Sequence, residues 1–329
     1  MKTDYNNRTP LALIIDDPAP RVFVYYEHAD SRILDDGRPL VDQVPNSFME
    51  EFCEIIETYG IKGKFSIVPM PGGRGDILNG IPGFPQEEID DWLDMARNRV
   101  AKYFSICPEM LTHAGAVDLS NGKIMDINEE VWSRSQDRQT LTPYITKALT
   151  LLKDAGFSIT GISSPWGFGR MVEDEYVFAI AEAMYNVFGK ADSWYFTWFD
   201  DNPSAVPTVT FDNAGRRVVS IPATIYDYLW ETMHTTDTSE EYISSVINPI
   251  LSEDGTSGKL IEILDGGGIP VILTHWQSLF SNGSRTGLTA LTHLAQRIQN
   301  HLAHRVEWVT HEELMKMTLK SYSSVDPHE

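Results

Sequence analysis

The chain has 329 residues, of which 42% are hydrophobic, so it can bury a large core; its formal net charge is -21. That charge argues against nucleic-acid and anionic-membrane binding, both of which need a basic face, and fits ligands that are neutral, cationic or held through a metal. The two cysteines, Cys53 and Cys107, make neither a disulfide framework nor a CxxC metal pair.

MKTDYNNRTP carries no apolar signal core, and no later run approaches about 18 consecutive apolar residues. The expectation is a cytoplasmic protein, with Met1 counting against a trimmed signal. LALII (11–15) reads as a buried strand ending on Asp16 and Asp17, followed by a long polar insert at about 18–45. PNSFMEEFCEIIETYG has helix-spaced apolar positions and stops at Gly60. KGKFSIVPM (62–70) is the next strand, and residues 85–104 form a helix with acids first and bases last.

Residues 103–112 read as extended. Helices over 141–157 and 173–189 flank a short strand and turn in SITGISSPWGFG. SWYFTWF (193–199) and RRVVSIPAT (216–224) read as strands, residues 239–268 as helical, and IPVILTHW (269–276) as a buried strand. A helix over 289–305, the strand VEWVT and a closing helix from HEELMKM end the chain. Alternating strands and helices imply parallel β-α units. With about seven strands and no dinucleotide-binding fingerprint, the fold class expected is α/β, a seven-stranded (β/α) barrel occupying residues 1–329 as one domain. In such a barrel the functional side chains gather where strands end.

Alone, two acids after a strand are an ordinary turn pair. Here they are matched by His113, SSPWG and His275 at other strand exits, with Asp192 and Trp194 near another. The set resembles the polysaccharide deacetylases of carbohydrate esterase family four. IIDDPAP resembles the family's TFDDGP, KGKFSIV its KATFFV strand, EMLTH its HSxxH, SSPWG its RxPxG, ADSW its DxxxW-like segment and VILTH its closing LxH. The resemblance covers about residues 11–315.

That resemblance implies Asp16 as general base, His275 as general acid, and Asp17 and His113 as ligands of a divalent metal, zinc by expectation. Glu109 stands where the first histidine of HSxxH would be and is the third ligand candidate, with Asp118 and His28 as alternatives. Ser163 stands where the arginine of RxPxG is usual, which leaves Asp16 without its customary partner. Trp166, Trp276, Trp194, Asp192 and His28 are expected at the substrate. The implied activity is removal of N- or O-linked acetyl groups from a carbohydrate. The alternatives are a glycoside hydrolase using two carboxylates, and a carbohydrate-binding barrel that has lost its metal.

Overall fold

The computed structural model describes residues 8–324. Its strands are β1 (Thr9–Asp16), β2 (Gly63–Ile67), β3 (Phe104–Pro108), β4 (Gly115–Asp118), β5 (Lys123–Asn128), β6 (Gly161–Ser163), β7 (Asp192–Phe196), β8 (Thr208–Asn213), β9 (Arg216–Ser220), β10 (Val271–His275) and β11 (Val306–Trp308). They form an α/β structure built on parallel sheet. One sheet runs β10-β1-β2-β3 with β11 also on β1; a second runs β6-β7-β9-β8, in which only β8 is antiparallel. Single bridges connect them: Glu109 to Ser163 just beyond β3, and Ile225 to Ile272 between the continuation of β9 and β10.

The apolar runs follow from burial on both faces. Along β1, Leu11, Leu13 and Ile15 enter the core shared with the helices, whereas Ala12 and Ile14 point into a second cluster with Trp194, Val219 and Leu273. Helix Asn46–Tyr59 supplies Phe48, Met49, Phe52, Cys53 and Ile56 to the first cluster at three- and four-residue spacing. It ends on Gly60 at φ 62°, a left-handed stop that glycine adopts without steric penalty. The last helix, His311–Ser323, opens with a Thr310/Glu313 capping box and sends Leu314, Met315 and Leu319 into the second cluster.

The antiparallel edge strand β8, mostly exposed, has no counterpart in the sequence reading, and two further features depart from it. The hairpin β4–β5 has no counterpart in it, because β5 exposes most of its residues and so lacks apolar alternation. The insert at 18–45 is folded rather than a bare loop. It buries Val22, Phe23, Leu34, Leu40 and Val44 and contains a short helix, Val24–His28. Arg38 ties it down by donating to the carbonyls of Met233 and Thr235 at 3.0 and 2.9 Å, and Arg74 pairs with Glu27 at 3.0 Å. The insert is thereby held over the carboxyl ends of the strands. Among the described residues, no helix is long and apolar enough to cross a membrane.

Candidate functional site

Three residues at strand exits hold left-handed backbone: Asp17 at φ 70°, His113 at φ 53° and Trp166 at φ 49°. Each costs about 1 kcal/mol for a residue with a Cβ, so the surroundings must impose it. Around His113 the agent is Glu129. Its buried carboxylate accepts the backbone N–H groups of Leu111 (2.9 Å), Thr112 (3.2 Å) and His113 (3.0 Å) and the hydroxyl of Tyr144 (2.7 Å).

That turn brings His113 to the end of β1. His113 Nε2 lies 2.7 Å from Asp17 Oδ1 and 3.7 Å from Glu109 Oε1. The other Glu109 oxygen accepts the Asp17 N–H at 2.5 Å, and Gln277 donates to Asp17 Oδ2. One donor atom from each of Asp17, Glu109 and His113 falls within 4.8 Å of the others, and all three residues are buried. Burial opposes charge on Asp17, but His113 beside it holds the carboxyl well below the usual range. Burial likewise opposes charge on His113, and Asp17 overcomes it and raises the imidazole. Glu109 is pushed well up by burial and by the neighbouring Asp16 and Asp17.

The donor set fits a divalent cation. Asp17 Oδ1 is buried and receives no directed hydrogen bond even with an imidazole nitrogen 2.7 Å away. That oxygen is short of a partner, and a cation shared with a deprotonated His113 nitrogen would supply one. An imidazole and two carboxylates suit zinc or a harder cation.

Asp16 has a partner that the sequence reading did not assign. Lys64, fully buried on β2, donates to Asp16 Oδ1; it also donates to the hydroxyls of Ser66 and Ser163, both at 2.7 Å. Ser66 and Ser163 also donate to that oxygen, at 2.8 and 3.1 Å. Asp16 lacks its customary arginine, as expected, and has a lysine in its place: KGKFSIV carries an ammonium into the site as well as building a strand.

His275 ends β10 with Nδ1 2.8 Å from Asp227 Oδ2, and Trp230 packs edge-on against its ring at 5.1 Å. Asp227 is itself fixed by the Ser278 hydroxyl and the Leu229 N–H. Burial pushes the imidazole down, but the Asp227 bond and the charges of Asp17, Asp227 and Asp16 outweigh it and hold His275 at about 9. Asp227 was missed although it follows the strand read over 216–224 by three residues, and although IYDYLW places an acid shortly before a tryptophan, as ADSW does.

Asp16, Asp17, Glu109, His113 and His275 line one cavity of about 300 Å³ together with Tyr25, His28, Trp166, Trp198, Tyr226 and Trp230. Trp166 is 42% exposed and meets His113 at 4.3 Å. His28 stacks on the His113 ring at 4.9 Å, and burial with the charge of His113 holds it down at about 3. It lies outside the three-residue ligand group.

Four expected residues sit elsewhere. Trp276 is 1% exposed and packed among Phe48, Phe52 and Phe65, so it is core and not a sugar platform. Trp194 is wholly buried, bonded to Thr160 and pressed against Gly161, where a Cβ would lie 2.1 Å from the indole. Asp192 begins β7, at the end of the strand away from the site, and pairs with Arg217 at 2.9 Å. Asp118 binds Ser120 and Asn121 in the exposed β4–β5 turn. Trp166→Ala is expected to move Tm little, because the ring is 42% exposed. Trp276→Ala is expected to cost about 3–5 kcal/mol of stability, which denaturant unfolding measures.

No family model and no curated protein matches the chain by sequence. Among solved structures it is similar to a putative polysaccharide deacetylase from Mycobacterium smegmatis, at 13% identity and a TM-score of 0.52, covering 84% of this chain and 78% of that one. Weaker likenesses include a CE4 family pseudoenzyme from Bacillus anthracis (10% identity, TM-score 0.44, 94% of this chain and 66% of that one). A family 4 acetyl xylan esterase from Clostridium thermocellum is another (13% identity, TM-score 0.41, 95% and 92%). At such identity the first likeness speaks to fold alone: the chain is a divergent protein on the fold of a polysaccharide deacetylase.

Proposed function

We propose that the protein is a metal-dependent hydrolase that removes acetyl groups, N- or O-linked, from a carbohydrate, on a seven-stranded deacetylase-like barrel whose two sheets meet at the Glu109–Ser163 and Ile225–Ile272 bridges. The carrying observation is the buried Asp17, Glu109 and His113 group at the floor of an aromatic cavity that His275 and Asp16 also line. These three residues would hold the ion, zinc by preference of the donor set, with Gln277 fixing the Asp17 carboxylate. Such an ion supplies Lewis acidity towards an acyl carbonyl and lowers the pKa of water.

The chain's own groups do the rest. Asp16, fastened through Oδ1, has its second oxygen to accept a proton from the attacking water. His275, held protonated by Asp227, donates to the leaving amine or alkoxide. Trp166, Trp198 and Tyr226 give exposed ring faces on which a sugar can stack, and they thin the water around the reacting bond.

The test is zinc content after loading and dialysis, together with acetate release from acetylated chitooligosaccharides and acetylated xylan. One ion per chain with acetate release supports the reading; a chain that takes up no ion would end it. A pH profile tests His275. Because its protonated form is the donor, activity should fall on the alkaline side as the imidazole, raised by its bond to Asp227, loses its proton. In Asp227→Asn the imidazole loses its anionic partner, so the alkaline limb should move down towards the ordinary histidine value near 6.5. An unmoved limb would remove Asp227 from the scheme.

A further inference from the structure

Lys64 is the only buried lysine among the described residues. Its ammonium has three N–H donors and three partners: Asp16 Oδ1, Ser66 Oγ at 2.7 Å and Ser163 Oγ at 2.7 Å. The Phe196 ring lies 4.6 Å from it and helps keep water away. From the Asp16 side, every hydrogen bond to the carboxylate among the described residues lands on Oδ1. One oxygen is thus fixed in place by three donors, and the other remains for the cavity that Asp16 lines.

Two departures from the family pattern meet here. KGKFSIV has lysine where KATFFV has threonine, and SSPWG has serine where RxPxG has arginine. These two positions, 99 residues apart, are brought together as Lys64 Nζ and Ser163 Oγ at 2.7 Å. Burying an ammonium is costly unless an anion faces it, and a second cation at 163 would have no free acceptor on Asp16 Oδ1. A lysine at 64 together with an arginine at 163 would set two buried cations against one carboxylate, whereas the serine present adds none.

We infer that Lys64 is the positioning residue of Asp16, a cation delivered from β2 in place of the arginine that RxPxG would deliver from β6. Its catalytic consequence rests on the hydrolase reading of Asp16; the exchange of the cation between the two positions does not. A residue acting this way changes how Asp16 meets the reacting water while leaving substrate binding and the ion alone.

The experiment compares Lys64→Thr, Ser163→Arg and the double variant with the parent chain, reading kcat and KM on acetylated chitohexaose, zinc content and Tm. Lys64→Thr should lose about 100-fold in kcat, with KM within about twofold and zinc content unchanged. Its Tm should fall by about 5 °C or more, because Asp16 is left buried without its cation. Ser163→Arg should lower Tm on its own, and the double variant should recover at least about tenfold in kcat and most of the lost Tm.

A double variant no better than Lys64→Thr in kcat and Tm would overturn the inference, as would loss of zinc in Lys64→Thr. An inactive parent would overturn the hydrolase reading and leave the Tm comparison to decide the exchange: recovery in the double variant upholds it and no recovery overturns it. Should Lys64→Thr fail to fold, a folded double variant upholds the exchange and an unfolded one overturns it.

Discussion

Under the proposed hydrolase reading, replacing Asp17 with alanine is expected to abolish zinc binding and, with it, about 10³-fold or more of acetate release. The reason is the convergence of its Oδ1 with His113 Nε2 at 2.7 Å and the absence of any other directed partner for that oxygen. Alanine removes one ligand of three and frees the Gln277 amide that had been spent on Oδ2. It would also sit at φ 70°, a conformation that costs alanine about 1 kcal/mol. Asp17→Asn is the cleaner companion, because asparagine tolerates that backbone and keeps the shape while giving up the charge. Both variants should emerge from zinc loading and dialysis with well under one ion per chain. A full complement in both would show that the ion, if any, is held elsewhere.

Asp16→Asn is expected to keep the ion and lose about 10²- to 10⁴-fold in kcat, the range for removing a general base. Its neighbour Asp17 keeps its partners, Gln277, His113 and the Glu109 contact, so the ligand set stays intact. The change also strips Lys64 of its anion. Breaking a buried pair from one side costs about 3–5 kcal/mol, so a lower Tm should accompany the loss of activity. Metal content is therefore to be read well below the new Tm. An Asp16→Asn chain that releases acetate at the parent's rate would take the base role away from Asp16. One that is inactive and metal-free would mean that the two acids are a single ligand unit.

Much of this site was legible before any coordinates. The double acid closing a buried strand, the histidine of EMLTH and the histidine of VILTH each sit at a strand exit, and the structure gathers them round one cavity. Glu109 stands in that group as well, one residue beyond β3. Strand exits can be read from sequence because parallel strands buried on both faces are short apolar runs, and the residue that ends the run is the one that leaves the core. Trp276 shows where that logic stops. It follows His275 directly, but a helix begins there and turns its indole into the core among Phe48, Phe52 and Phe65.

Asp192 and Asp227 mark the same limit from the other side. Both lie near an aromatic residue; Asp192 opens the strand already read from residue 193, and only the fold shows that Asp227 reaches His275 from a loop. Sequence order assigns neighbours along a chain, whereas a proton relay needs neighbours across one. His28 is intermediate: the sequence offered it both as an alternative ligand and as a substrate contact, and the folded insert places its imidazole over His113.

What the sequence by itself determined, then, is the alternation of strands and helices and the identity of the groups that leave the core, because both follow from local apolar periodicity. What only the tertiary structure decided is which of those groups pair. The Lys64 ammonium lies on a strand that reads as purely structural, and it meets Asp16 and Ser163 across 48 and 99 residues of sequence. A buried charge is bearable only opposite its partner, and that partner is chosen by how the strands close up, a fact no single stretch of sequence contains.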